Sequence, residues 1–162
     1  MKQTDPDWQA IVETPLGPLG VRVDAKGLAE IDFLPNDRRA QSAADPLSRK
    51  VVGQLARYFL QPAPPFSLPL HLQGTPFQRS VWGLLCEIPV GQVWTYGEMA
   101  RRLGSSPRAV GNACRRNPVP VVVPCHRVVG AQGLGGYAGE TTGRNMEIKR
   151  WLLAHEGVEL PA

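Results

Sequence analysis

Thr95-Tyr96-Gly97-Glu98-Met99-Ala100-Arg101-Arg102-Leu103-Gly104-Ser105-Ser106-Pro107-Arg108-Ala109-Val110-Gly111-Asn112-Ala113-Cys114-Arg115-Arg116-Asn117 reads as two short helices joined by a tight turn. Thr95 followed by Glu98 is a capping box, and Tyr96, Met99, Ala100 and Leu103 recur at i, i+3, i+4 and i+7. Gly104-Ser105 turns the chain, Ser106 caps, and Pro107 opens a second helix expected to run to Asn117, before Pro118. Such a pair is a helix-turn-helix. In its second helix Val110, Ala113 and Cys114 share one side, while Arg108, Asn112, Arg115 and Arg116 share the other. The small residues Ala109, Gly111 and Ala113 let that helix approach another surface closely.

Charge sharpens this reading. The net charge is +4, yet residues 1–75 hold eight Lys/Arg against eight acids and are neutral. Residues 76–162 hold the other ten against six, and between Met99 and Gly139 there are six arginines and no acid. An acid-free arginine block on a helix-turn-helix points to a polyanion, with DNA the favoured partner.

Downstream, Asn117-Pro118-Val119-Pro120-Val121-Val122-Val123-Pro124-Cys125-His126-Arg127-Val128-Val129 is stiffened by prolines. Its β-branched run is expected to be a buried, extended segment that ends on a thiol, an imidazole and a guanidinium. A thiolate is a soft nucleophile, and a neighbouring imidazole can take its proton directly or through a water. A third group orients such an imidazole; Asn117, Arg127 and Glu156 are the candidates. Phosphodiesters are poor electrophiles for sulfur. An alkyl carbon on a base oxygen suits it, provided that the nucleotide rotates out of the stack.

Toward the N-terminus, Trp8–Thr14, Leu19–Asp24 and Leu28–Phe33 read as a β-meander. Asp45-Pro46 starts a helix with Leu47, Val51, Leu55, Tyr58 and Phe59 on one face, and residues 66–72 are an extended connector. Thr75-Pro76-Phe77-Gln78 is a second capping box and opens a further helix. After the cysteine, residues 130–143 form a glycine-rich loop around Tyr137. A last helix is expected to bury Ile148, Trp151, Leu152 and His155, with Glu156 at its end. The fold class is therefore α+β: a small N-terminal antiparallel-sheet domain with a helix, then a mainly helical domain containing the helix-turn-helix and the cysteine. The polar N-terminus is expected to carry no signal peptide, and no apolar run is long enough to span a bilayer. Three cysteines without CxxC spacing fit a reducing cytoplasm and no structural zinc site.

Pro124-Cys125-His126-Arg127-Val128 resembles the acceptor-site signature of the O6-alkylguanine-DNA alkyltransferases, also called methylated-DNA–protein-cysteine methyltransferases. Gly74-Thr75-Pro76-Phe77-Gln78, Thr95-Tyr96, Arg108-Ala109-Val110-Gly111, Asn117-Pro118 and Leu152-Leu153-Ala154-His155-Glu156 match that family in order and approximate spacing. The resemblance implies an α/β, ribonuclease H-like domain over 1–73 and a helix-turn-helix alkyltransferase domain over 74–162. It further implies a single-turnover transferase in which Cys125 accepts the alkyl group irreversibly and His126, held by Glu156, acts as base. Asn117 would brace the bend, and Tyr96 would contact the flipped guanine. Arg108 would fill the vacated place in the duplex, with Ala109, Gly111, Ala113, Arg115, Thr75 and Gln78 also at the DNA. Val128, Tyr137 and Ala138 would line the guanine pocket beside Tyr96. The resemblance implies double-stranded DNA read in the minor groove, a cytoplasmic monomer, no cofactor and no metal, since no cysteine precedes Cys86.

Departures from the family pattern fall at Ala138, at Glu140 after Gly139, and in a few extra residues before the last helix; they bear on the pocket rim and on alkyl-group size. Cys114 stands where relatives often carry a larger apolar residue. Three rivals give different expectations. An alkyltransferase-like damage sensor without transfer activity lacks the acceptor cysteine. A helix-turn-helix regulator would dimerise on a palindrome. A cysteine hydrolase leaves the arginine block without a purpose.

Overall fold

The computed structural model describes residues 7–136 and 143–160. The chain divides into two compact units, Met1–Gln73 and Gly74–Ala162. Among the described residues no helix is long and apolar enough to cross a membrane.

In the first unit β1 (Ala10–Thr14), β2 (Gly17–Asp24) and β3 (Gly27–Phe33) form an antiparallel meander in the order β1-β2-β3. The register pairs Ala10 with Val21 and Leu19 with Phe33, with an irregularity at Arg22/Val23. Asp24 closes the second turn by accepting from the backbone N–H of Lys26 and Gly27. Helix α1 (Pro46–Leu60) begins where Asp45 accepts from Ser48 N, with proline at its first position. Val51, Leu55 and Tyr58 are buried on α1, and Leu19, Val21 and Leu28 on the sheet. Each such side chain contributes about 2 kcal/mol of transfer free energy. The connector joins the edge of β3 through Leu28 N to Pro69 O (2.8 Å) and His71 N to Leu28 O (2.9 Å).

In the second unit α2 (Pro76–Leu85) carries the full Thr75/Gln78 capping box. A short parallel pair, β4 (Trp94–Thr95) with β5 (Val128–Val129), sets the cysteine segment beside the start of α3 (Tyr96–Leu103). Gly104, at φ 62°, supplies the left-handed turn that a side chain would disfavour. Helix α4 (Pro107–Arg115) follows, capped by Ser106, and the indole of Trp82 on α2 donates to Ala113 O at 2.9 Å. Helix α4 ends at Arg115 rather than Asn117. The residue before Pro118 is disfavoured in helical conformation, and the Asn117 side chain is engaged in the turn beyond.

Helix α5 (Arg144–His155) differs from expectation in its buried face, which is Met146, Ile148, Lys149, Leu152 and Leu153. Trp151 is only half-buried and stacks on His155, ring centroids 4.7 Å apart.

Candidate active site

The segment before the cysteine is buried as expected but is folded into a turn, not extended. Pro118, Pro120 and Pro124 lack the N–H groups a strand ladder needs, so the turn is held from within. Val123 N donates to Val119 O at 2.9 Å. Asn117 spans the bend: its Nδ2 donates to Val123 O at 2.8 Å, and its Oδ1 accepts from Val119 N at 3.0 Å. Val121 sits at φ 75° with 1% exposure. A β-branched residue there costs on the order of 1–3 kcal/mol and persists only where surrounding packing enforces it. The turn delivers Cys125, His126 and Arg127 onto one turn of 3₁₀ helix, Cys125–Arg127, with all three buried.

Of the three groups able to orient the imidazole, the structure brings Glu156 to it. His126 Nε2 and Glu156 Oε2 are 2.8 Å apart, both side chains fully buried. Arg127 turns onto the same carboxylate, with Nε donating to Oε1 at 2.7 Å and Nη2 to Oε2 at 2.9 Å. Its Nη1 donates to Ile88 O at 2.6 Å. Burial would raise the Glu156 pKa, but hydrogen bonds from His126 and Arg127 outweigh it and hold the carboxyl well below the usual range. Glu156 stands at the C-terminal end of α5, where the helix dipole opposes an anion, and Arg127 supplies the compensating cation.

Burial pushes the His126 pKa down, and Glu156 only partly opposes this. The imidazole is therefore neutral, with its proton on Nε2 facing the carboxylate. Its Nδ1 has no hydrogen-bond partner and is a lone pair able to accept a proton.

Tyr96, at the start of α3, lies against the loop that follows β5. Its Oη lies 3.4 Å from Gly136 O, and its ring leaves no room for a side chain at Gly135, where a Cβ would lie 2.8 Å away. The other edge of the ring faces Gly111 of α4, 3.9 Å from where a Cβ would stand. Burial raises the Tyr96 pKa, with smaller contributions from Cys114 and Cys125, so the phenol keeps its proton at neutral pH.

Lys149 was not among the residues expected from sequence. It is completely buried and donates to Val128 O (2.7 Å), Leu134 O (2.5 Å) and Gly136 O (2.9 Å), with Nζ 6.0 Å from the Tyr96 ring centroid. Burial pushes its pKa down to about 8, while the nearby Cys125 and Cys114 oppose that shift. Three carbonyl acceptors match the three donors of an ammonium ion, a geometry that favours the charged form. Its signal was available: Lys149, Leu152, Leu153 and Glu156 fall at i, i+3, i+4 and i+7. Burial pushes the Cys114 thiol up, Cys125 adds to this, and Lys149 opposes it.

The arginine block splits. Arg127 is buried on Glu156, and Arg102 lies over the Trp94 ring at 4.1 Å. Arg101, Arg108, Arg115 and Arg116 are exposed. Arg108 stands at the N-terminal end of α4. A cleft of about 540 Å³ between α2 and α4 brings together Thr75, Gln78, Ala109, Ala113 and Arg115. Asn112 and Arg116 line it too. Gly111 is turned instead toward Tyr96. Tyr137 and Ala138, with Gly139, Glu140 and the two residues after them, lie outside the described residues. Among the described residues no cluster of three or more His, Cys, Asp or Glu could hold a metal ion.

Comparison with known proteins adds a family to this geometry. The family model described as 6-O-methylguanine DNA methyltransferase, DNA binding domain, matches residues 76–158. The methylated-DNA–protein-cysteine methyltransferase of Methanosarcina mazei is 43% identical over 154 residues, covering 90% of this chain and 94% of the relative. That of Saccharolobus solfataricus is 38% identical over 153 residues, 93% of this chain and 96% of the relative. The solved structure of Mycobacterium tuberculosis OGT in complex with DNA superposes with a TM-score of 0.77 at 35% identity, covering 91% of each chain. The O6-methylguanine-DNA methyltransferase of Pyrococcus kodakaraensis gives 0.55 at 31% identity, over 87% of this chain and 92% of that one.

Proposed function

This chain belongs to the methylated-DNA–protein-cysteine methyltransferase family, DNA-binding proteins that repair DNA by alkyl transfer, and we propose that Cys125 is its acceptor and O6-alkylguanine in duplex DNA its substrate. The observation that carries this reading is the neutral His126, whose proton-accepting Nδ1 adjoins the Cys125 residue in sequence and whose other nitrogen is fixed on Glu156.

The steps follow from the groups. The second unit, 74–162, binds duplex DNA through α4 in the minor groove, and the cationic face of that helix supports this. The damaged nucleotide rotates out of the stack at a cost of roughly a few kcal/mol, and Arg108 fills its place. The base enters beside Tyr96, Val128 and the loop that Lys149 ties down. His126 takes the thiol proton at Nδ1, directly or through a bridging water, and Sγ attacks the alkyl carbon. An S–C bond forms as the C–O bond breaks, and the electron pair leaves with guanine. A proton returned to the base balances the one taken by His126. Tyr96 stays protonated and donates a hydrogen bond to the leaving guanine, while the Lys149 ammonium favours the thiolate. The thioether left on Cys125 has no route back to a thiol here, so each molecule acts once.

Asn117 braces the turn that presents the cysteine. Thr75, Gln78, Ala109, Gly111, Ala113 and Arg115 make the remaining approach to DNA. The first unit, 1–73, is read as a ribonuclease H-like companion domain, a role its meander and single helix support. The protein acts as a monomer in the cytoplasm, where thiols stay reduced. Incubation with an O6-methylguanine duplex, followed by mass analysis of the Cys125 peptide, tests the proposal. One added methyl is expected, and none in Cys125→Ser. Tight binding without a mass change would overturn transfer in favour of damage sensing.

A further inference from the structure

The exposed face of α4 carries Arg108, Asn112 and Arg115, with Arg116 at its C-terminal cap, at i, i+4, i+7 and i+8. Asn112 differs in kind from the other three. It is exposed on the cleft wall, has no hydrogen-bond partner among the described residues, and is flanked there by the methyl groups of Ala109 and Ala113. Asn is a poorer helix former than Ala, and here it offers the helix no compensating bond.

Its position along the helix decides what it meets. At about 1.5 Å per residue, Asn112 lies about 6 Å and Arg116 about 12 Å from Arg108 along the axis. The minor groove is about 6 Å wide. With Arg108 in the vacated stack position and α4 lying along the groove, Asn112 faces the groove floor about two base steps away, at about 3.4 Å per step, and Arg116 reaches the phosphates that wall it. Ala109, on the same cleft wall, is small enough to allow that approach.

The floor presents acceptors at every pair, the purine N3 and the pyrimidine O2, and one donor, the N2 amino group of guanine, at G·C pairs alone. A guanidinium only donates, and a methyl does neither. A carboxamide also accepts. Asn112 is thus the member of this stripe able to register the guanine amino group.

We propose that Asn112 is a specificity-determining residue that reads the minor-groove edge of a base pair neighbouring the lesion, favouring G·C by accepting from guanine N2. This rests on the reading of α4 as the minor-groove helix, and the test separates the two. Duplexes carry O6-methylguanine at a fixed position, with each flanking pair set in turn to G·C, A·T or inosine·C, which lacks the N2 amino group. Single-turnover transfer and equilibrium binding are measured on each.

At one flanking position the native chain is expected to favour G·C over inosine·C by about three- to tenfold, a single-hydrogen-bond share of what a bidentate base contact gives. In Asn112→Ala the ratio is expected to fall below about twofold. The ratio is internal to each protein, so a general loss of stability or affinity leaves it unmoved. Equal performance on G·C and inosine·C at every position, or a ratio unchanged by Asn112→Ala, overturns the proposal. Absence of transfer on all duplexes overturns the repair reading instead, and the binding ratios still decide the role of Asn112.

Discussion

Arg127 and Glu156, 29 residues apart in sequence, form a buried two-point ion pair, Nε to Oε1 at 2.7 Å and Nη2 to Oε2 at 2.9 Å. The carboxylate that orients His126 is thereby already neutralised. Burial does most to keep the imidazole neutral, and Arg127 adds to it; without Arg127 the ring would face an uncompensated anion and its pKa would rise.

Arg127→Met is therefore expected to raise the His126 pKa and move the pH–rate profile for alkyl transfer to higher pH. It should also destabilise the fold by about 3–5 kcal/mol, the cost of stranding a buried charge. Arg127→Lys, which keeps the charge but not the fork, should lose less. Denaturant midpoints and single-turnover rates across pH check both; an unshifted profile in Arg127→Met contradicts the neutralising role.

Stability should fall on acidification in two stages. The His126 pKa is lowered in the fold from 6.5, so the unfolded chain binds that proton more readily; the stability is complete above about pH 6.5 and declines below it. Glu156 is lowered from 4.5, so its share is present above that value and is lost as pH falls through its lower folded pKa. Urea midpoints from pH 8 to pH 3 measure this. A midpoint unchanged between pH 7 and pH 5 would count against a neutral buried His126.

Asn117→Ala removes both bonds across the Val119–Val123 turn and leaves Val119 N without its acceptor. A loss of about 2–3 kcal/mol is expected. Transfer should slow on duplex and free O6-alkylguanine base alike, because the turn presents the sulfur and not the DNA. Duplex-only loss would reassign Asn117 to DNA contact.

Arg108→Ala should do the reverse. Transfer from duplex is expected to fall about tenfold or more, since the vacated stack is left unfilled. Attack on the free modified base should fall far less. Comparable losses on both substrates would remove Arg108 from the flipping step.

Lys149→Met strands three carbonyl oxygens, at Val128, Leu134 and Gly136, while relieving the burial of a charge. A net loss of about 1–3 kcal/mol is expected. Hydrogen exchange should rise first at residues 134–136, and transfer from free base should slow. Unchanged exchange there would mean that the ammonium is not what holds the loop.

What the residues determined by themselves was whatever is settled within a turn or two of chain. Asp45, Thr75, Thr95 and Ser106 each cap the helix that follows them, because a side-chain oxygen three residues from an orphan N–H needs no tertiary partner. The meander, the helix-turn-helix and the Cys125-His126-Arg127 run were legible for the same reason. Misreadings began where residue type does not say which partner a group finds. Val121–Val123 has strand-forming side chains, yet prolines deny it a ladder and Asn117 folds it into a turn. Arg127, counted with the DNA-facing cations, is taken out of them by Glu156. Lys149 looked like any surface lysine until α5 packed it inward. Tertiary structure alone decided the two charges, since the free energy of a buried charge depends on which partners reach it, and those partners lie 13 to 39 residues away along the chain.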